Sequence, residues 1–205
     1  MSDKYSEDFI KALKNHDTNV LLTIPKSDLH NHLGRGCRRQ WLSEKLNHDF
    51  PPPPEKFDGL IGMQNWYVGA IRDYCPDAIY EPELAFASYA DVEADVEAAI
   101  ETLGLDEVHH GIHAATSPRV MKLLADRQIT LNVCPTSNIM LGYTNSYAEH
   151  PIKILVENGV PVTINTDDLL VFDSSMDQEY LRLYEAGTLT AEQLDQIRCW
   201  GLYGK

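Results

Sequence analysis

The chain has 205 residues, of which 43% are hydrophobic, and it carries 17 Lys and Arg against 31 Asp and Glu, a net charge of −14. That length suits one ordinary domain with a buried core, and the acidic balance with scattered basic residues argues against a nucleic-acid backbone as partner. Cys37, Cys75, Cys134 and Cys199 form no C-x-x-C pair, which argues against a zinc knuckle or a disulfide framework.

Residues 1–24 read as a helix capped by Ser6, with Phe9, Ile10 and Leu13 on one side. Residues 26–33 read as the first strand, ending at Gly34-Arg35-Gly36, where two glycines permit a tight loop. Arg38 to Leu46 reads as helix and stops before Pro51-Pro52-Pro53-Pro54, a stiff extended spacer. From Phe57 to Tyr74 the spacing of Leu60, Met63, Trp66, Tyr67 and Ile71 predicts a helix with a core-facing stripe. Residues 75–90 show no clear period.

Asp91 to Leu103 reads as a helix with Val92, Val96, Ile100 and Leu103 on its apolar side. Glu107 to Ile112 is a short strand ending among histidines, and Ser117-Pro118 opens the next helix with a cap residue followed by proline. Ile129, Leu131 and Val133 alternate with polar residues in a strand that runs into Pro135-Thr136-Ser137-Asn138. A helix over 151–158 ends at Gly159. Val160, Val162 and Ile164 then alternate with Pro161, Thr163 and Asn165 in a strand that finishes in two carboxylates, Asp167 and Asp168. Helices over 176–185 and 191–200 close the chain, the second opened by a capping box of Thr190 and Gln193.

Strands alternating with helices predict an α/β fold with a parallel sheet covered by helices. Chemistry in such folds gathers at the C-terminal strand ends. His32, His110, Cys134-Pro135 and Asp167-Asp168 all fall there. On a strand rising about 3.3 Å per residue, His30 and His32 project from one face about 6–7 Å apart. With Asp167 they form two imidazoles and a carboxylate, a set suited to Zn²⁺ or a similar divalent metal. Cys134 reads as a small buried residue rather than a nucleophile, and His109 and His113 as structural or exposed.

Taken together, these motifs resemble the adenosine deaminase family of metal-dependent hydrolases, which has a (β/α)8 barrel. His30-Asn31-His32-Leu33 is similar to its opening H-x-H-L, His110-Gly111 to its H-G motif, Cys134-Pro135-Thr136-Ser137-Asn138 to its C-P-x-S-N/S strand end and Asn165-Thr166-Asp167-Asp168 to its N-T-D-D. The four matches occur in family order. The resemblance implies that His30, His32 and Asp167 bind one zinc ion, that His110 orients and deprotonates the attacking water, and that Asp168 hydrogen-bonds a purine ring. The implied partner is a small aminated purine, adenosine or adenine, in a cytoplasmic protein with no membrane segment. Gly34 stands where adenosine-specific relatives place a carboxylate, which widens the expectation to aminated purines.

The resemblance also marks what is missing. The family's H-A-G-E type motif, source of a further zinc ligand and of the acid that protonates the ring, has no counterpart, since no histidine lies between His48 and His109. A full barrel takes about 250 residues. The expectation is therefore a single domain over 1–205, a partial TIM barrel of about four parallel strands with a deletion junction near 75–90 and impaired turnover. Strands corresponding to the family's sixth, seventh, eighth and first would form a continuous half barrel, whose open edges predict pairing of two copies. His109 or His113 could replace the absent ligand. The alternatives are a metal-binding remnant without catalysis, and another H-x-H hydrolase such as a phosphoesterase, against which Asp167-Asp168 after Asn-Thr stands.

Overall fold

The computed structural model describes residues 2–30, 38–71, 100 and 105–204. In chain order its elements begin with helices α1 (Ser6–Lys14), α2 (Thr18–Thr23), α3 (Arg39–Leu46) and α4 (Gly59–Ala70). Strand β1 (Glu107–His109) leads through a 3-10 turn (Ile112–Thr116) to α5 (Pro118–Arg127) and β2 (Thr130–Val133). There follow α6 (Pro135–Met140), α7 (Ile152–Glu157), β3 (Val162–Ile164), α8 (Leu169–Phe172), α9 (Met176–Glu185) and α10 (Ala191–Tyr203).

The strands are parallel and ordered β1-β2-β3, with Val108 in register with Leu131 and Leu131 with Val162. Helices in each crossover cover one face, as parallel pairing requires. On that face Leu131, Val133, Val162 and Ile164 bury against Leu13 of α1, Leu124 of α5 and Leu194 of α10. The alternation in sequence therefore marked the core side correctly. The opposite face is not left to solvent as a simple two-sided pattern implies. Thr163 Oγ1 donates to Asn132 Oδ1 (2.7 Å), Asn132 Nδ2 to Glu107 Oε2 (3.0 Å) and Asn165 Nδ2 to Thr163 Oγ1 (2.9 Å). This polar ladder satisfies groups whose burial without partners costs about 1–3 kcal/mol each.

The segment expected as a further strand, 26–33, is described as far as His30. It is pinned at the end of β3 chiefly by side chains. Asp28 accepts from Thr166 N and Thr166 Oγ1, Leu29 N donates to Asn165 Oδ1 (2.7 Å), and Asp167 N donates to His30 O (2.9 Å). Upstream, Lys26 pairs with Asp177 (2.6 Å) and donates to the carbonyls of Leu21 and Ile24. The described residues hold three parallel strands, and 26–30 lies at the end of the third without joining the sheet as a strand. Residues 31–33 lie outside the described residues, as do 75–90 with the proposed junction. So does the helix expected over 91–103 apart from Ile100, which is buried in the main core.

Two local expectations are corrected. The single helix over 1–24 is two helices, because His16 takes a left-handed backbone (φ 54°) and Asp17 starts α2 by accepting from Val20 N (3.1 Å). Ser6 is not the cap of α1. It sits in the first turn and its hydroxyl accepts from Asp3 N (2.8 Å). Other signals stand as read: Ser117 caps α5, Gly159 follows α7 with φ 74°, and Thr190 and Gln193 form a capping box on α10.

A second, smaller core lies beyond the C-terminal ends of the strands. Leu42 of α3 and Met63 and Tyr67 of α4 pack with Phe57, Met140 and Leu170 to Phe172. Phe57 N donates to Met140 O (2.7 Å), which ties the spacer to the helix after β2.

His150 links that helix to α7. Its Nδ1 accepts from Ile152 N (3.1 Å), so Nε2 carries the proton and donates to Asn138 Oδ1 (3.3 Å). Burial pushes its pKa down from 6.5 to about 4. A base whose pKa is lowered by folding contributes stability above its unfolded value and loses it as the pH falls. Between pH 6.5 and 4 the fold should thus lose up to about 3 kcal/mol through this residue. Denaturant melts across that window should show the loss, and His150→Gln should flatten it.

Candidate metal centre

His110 follows β1, Cys134 follows β2, and Asp167 lies three residues beyond β3, so all three reach the same edge of the sheet. His30 arrives beside them through its carbonyl bond to Asp167 N. His30, His110, Cys134 and Asp167 each offer a ligand atom, and these atoms all lie within 4.8 Å of one another. The Asp167 carboxylate sits between two imidazoles, Oδ1 at 3.4 Å from His30 Nε2 and Oδ2 at 3.7 Å from His110 Nε2.

The backbone turns sharply to achieve this. His110 and Asp167 are both left-handed, with φ 59° and 60°, an arrangement His and Asp tolerate better than most residues but which still costs on the order of 1–2 kcal/mol each. Gly111 has φ 69°, and a Cβ there would stand 2.9 Å from Leu131 Cδ2. The H-G pair therefore has a local reason: the glycine lets the chain fold back against β2 immediately after His110.

Cys134 is held by the start of α6. Glu179, fully buried, accepts from Thr136 N (3.1 Å) and from the Thr136 hydroxyl, while Arg182 Nη1 donates to Ser174 Oγ (2.9 Å), Thr136 Oγ1 (3.2 Å) and Tyr147 OH (3.3 Å). Burial raises the Glu179 carboxyl, against the pull of the Ser174 and Thr136 hydrogen bonds and Arg182. Burial likewise pushes the Cys134 thiol well above its ordinary range, reinforced by the charges of Asp167 and Glu179. A neutral buried thiol is a poor nucleophile.

The donor set fits a divalent ion. Metal–ligand bonds of 2.0–2.3 Å in a tetrahedron imply ligand separations of roughly 3.3–3.8 Å; Asp167 Oδ1 stands 3.4 Å from His30 Nε2, within that range, and its other oxygen 3.7 Å from His110 Nε2. Two nitrogens and a carboxylate oxygen are donors zinc accepts, and the Cys134 sulfur would join them only as a thiolate.

Of the residues expected from sequence, His30, His110 and Asp167 come together. His32 lies outside the described residues. Asp168 is buried at the start of α8, where its carbonyl accepts from Val171 N and Phe172 N, and it is not one of the four clustered residues. The sequence reading missed the nearness of the Cys134 sulfur to the histidines, although its place at a strand end in line with the others was the available signal. A cavity of about 420 Å³ borders the starts of the strands, lined by Asp106, Glu107, Thr130, Thr163 and Trp200, and includes none of the four.

Comparison with known proteins bears on this centre. The family model described as adenosine deaminase matches residues 86–204. A putative adenosine/adenine deaminase of Treponema pallidum is 40% identical over 158 residues, covering 71% of this chain and 52% of the relative. An adenosine deaminase of Vibrio vulnificus is 30% identical over 190 residues, covering 88% and 53%. The crystal structure of an adenine deaminase from Arthrobacter aurescens superposes with a TM-score of 0.51 at 19% identity, covering 83% of this chain and 54% of that one, a likeness of fold. The chain spans about half the length of the curated relatives it matches. On the family match over its C-terminal half and more, with strand-end histidine and aspartate in place, the chain belongs to the adenosine deaminase family.

Proposed function

We propose that the strand-end cluster is a zinc site serving hydrolytic deamination of an aminated purine, adenosine or adenine. The observation that carries this reading is the convergence of His30, His110 and Asp167 at the C-terminal edge of a parallel sheet. His30 and Asp167 would hold the ion, with His32 from the same segment as their partner. Zinc, when bound, lowers the pKa of water towards about 7 and so supplies a nucleophile at neutral pH. His110, whose Nε2 faces the same carboxylate, orients the attacking water and holds its proton. Asp168, next in the chain, hydrogen-bonds the purine ring. The substrate class is supported by relatives named adenosine and adenine deaminases.

Attack on the ring also needs an acid at the ring nitrogen. No histidine lies between His48 and His109 to anchor the H-x-x-E motif, and loss of a general acid forfeits about 10²–10⁴ in rate. The proposed activity is accordingly slow, in a barrel domain shortened near residues 75–90. Zinc stoichiometry, measured together with ammonia release from adenosine and adenine, tests the reading. One zinc per chain with ammonia release reduced by about that factor is the expected result. Zinc without any ammonia leaves a metal-binding remnant, no zinc removes the proposal, and phosphate release from a phosphoester would assign a different hydrolase.

A further inference from the structure

The cluster leaves unexplained what lies on the other ring nitrogen of His30. Its Nδ1 stands 2.6 Å from Nδ1 of His109, the last residue of β1, with ring centroids 4.5 Å apart and planes at 71°. His109 is exposed, whereas His30 is 9% exposed. The backbone on both sides is fixed: His109 is in register with Asn132, His110 N donates to Asn132 O (2.8 Å), and His30 O accepts from Asp167 N.

Two neutral imidazole nitrogens at that distance share one proton, so one donates and the other accepts. Where the proton resides decides what His30 presents to Asp167. If His30 Nδ1 carries it, Nε2 is a bare lone pair. If His109 Nδ1 carries it, the His30 proton is on Nε2 and points at the Asp167 carboxylate 3.4 Å away. Only the first arrangement leaves Nε2 able to bind an ion, and metal-binding histidines generally donate their second ring N–H to a fixed acceptor.

We propose that His109 is a positioning residue: its Nδ1 accepts the His30 Nδ1 proton and holds His30 in the tautomer whose Nε2 lone pair faces Asp167. The purpose of the contact rests on the zinc reading, while its geometry stands on the histidine pair itself. His109 then carries its own proton on Nε2.

Long-range nitrogen-15 NMR of the metal-free protein reads the His30 tautomer, and chelator competition reads zinc affinity. His109→Asn keeps an acceptor near the Nδ1 position, His109→Gln places one near Nε2 instead, and His109→Ala has none. Wild type and His109→Asn should show His30 protonated at Nδ1, whereas the other two variants should shift the proton to Nε2. Zinc affinity should fall about 10- to 100-fold in His109→Ala and His109→Gln and stay within a few-fold of wild type in His109→Asn. Near-UV circular dichroism matching wild type shows that each variant is folded, as expected for an exposed position. His30 protonated at Nε2 in the wild type, or one tautomer shared by all four proteins, overturns the proposal. A tautomer that follows residue 109 in a protein that binds no zinc upholds the contact and sinks the zinc reading alone.

Discussion

Asp167→Asn is expected to weaken zinc binding on the order of 100-fold or more and to leave ammonia release at background. Its carboxylate sits between the Nε2 atoms of His30 and His110 at 3.4 and 3.7 Å, so it is the one anionic oxygen donor among the four clustered residues. Asparagine keeps the shape of the side chain and tolerates the left-handed backbone at φ 60°. What is lost is the charge, and with it one donor of the set. Alanine would confound the test by straining the turn as well. Chelator competition reads the affinity directly. In a parallel melt, zinc at 100 times its dissociation constant stabilises the wild type by about 2.7 kcal/mol. The asparagine variant should show a small fraction of that gain while melting like wild type without metal.

The largest effect on stability is expected at Arg198, whose side chain is fully buried in α10. Nε and Nη2 donate to Asp195 Oδ1 (2.9 and 2.8 Å), Nη2 and Nη1 to Asp3 (2.7 and 3.1 Å), and Nη1 to the carbonyl of Pro25 (3.3 Å). Burial alone would lower its pKa, but the bonds to Asp3 and Asp195 raise it instead, and the Arg198 hydrogen bond in turn holds Asp3 far below the usual carboxylate range. Arg198→Met leaves the Asp195 carboxylate buried without its cation, a change that costs about 3–5 kcal/mol. Thermal melts should show a drop on the order of 10 °C. Adding Asp195→Asn should return part of the loss, because the charge left uncompensated is then gone. The Pro25 contact links this core pair to the site. Five residues further on is His30, so zinc affinity should fall together with the melting temperature.

Much of the fold was legible where a residue's role is local. Ser117 and Thr190 cap helices because a side-chain oxygen meets an N–H three residues on. Val162 and Ile164 mark a core face because strands alternate. Of the candidate site, His30, His110 and Asp167 were legible from strand-end motifs and come together, and the H-G pair has its cause in the approach of Leu131 to Gly111. What was not legible is non-local. The segment ending at His30 has the spacing of a strand, but Asp28, Leu29 and Lys26 take their partners from residues 135 or more positions away or from helix carbonyls. The break at His16 depends on a left-handed residue that carries no glycine signal. Cys134 joining the histidines, and His109 meeting His30, depend on strand order and register, which no single stretch encodes.

The small apolar cluster of α3, α4 and α8 beyond the strand ends has its own energetics. It buries Leu42, Phe50, Tyr67 and Phe172 apart from the larger core beneath the sheet. A cluster with its own interior can open locally at a free energy well below that of global unfolding, leaving the sheet intact.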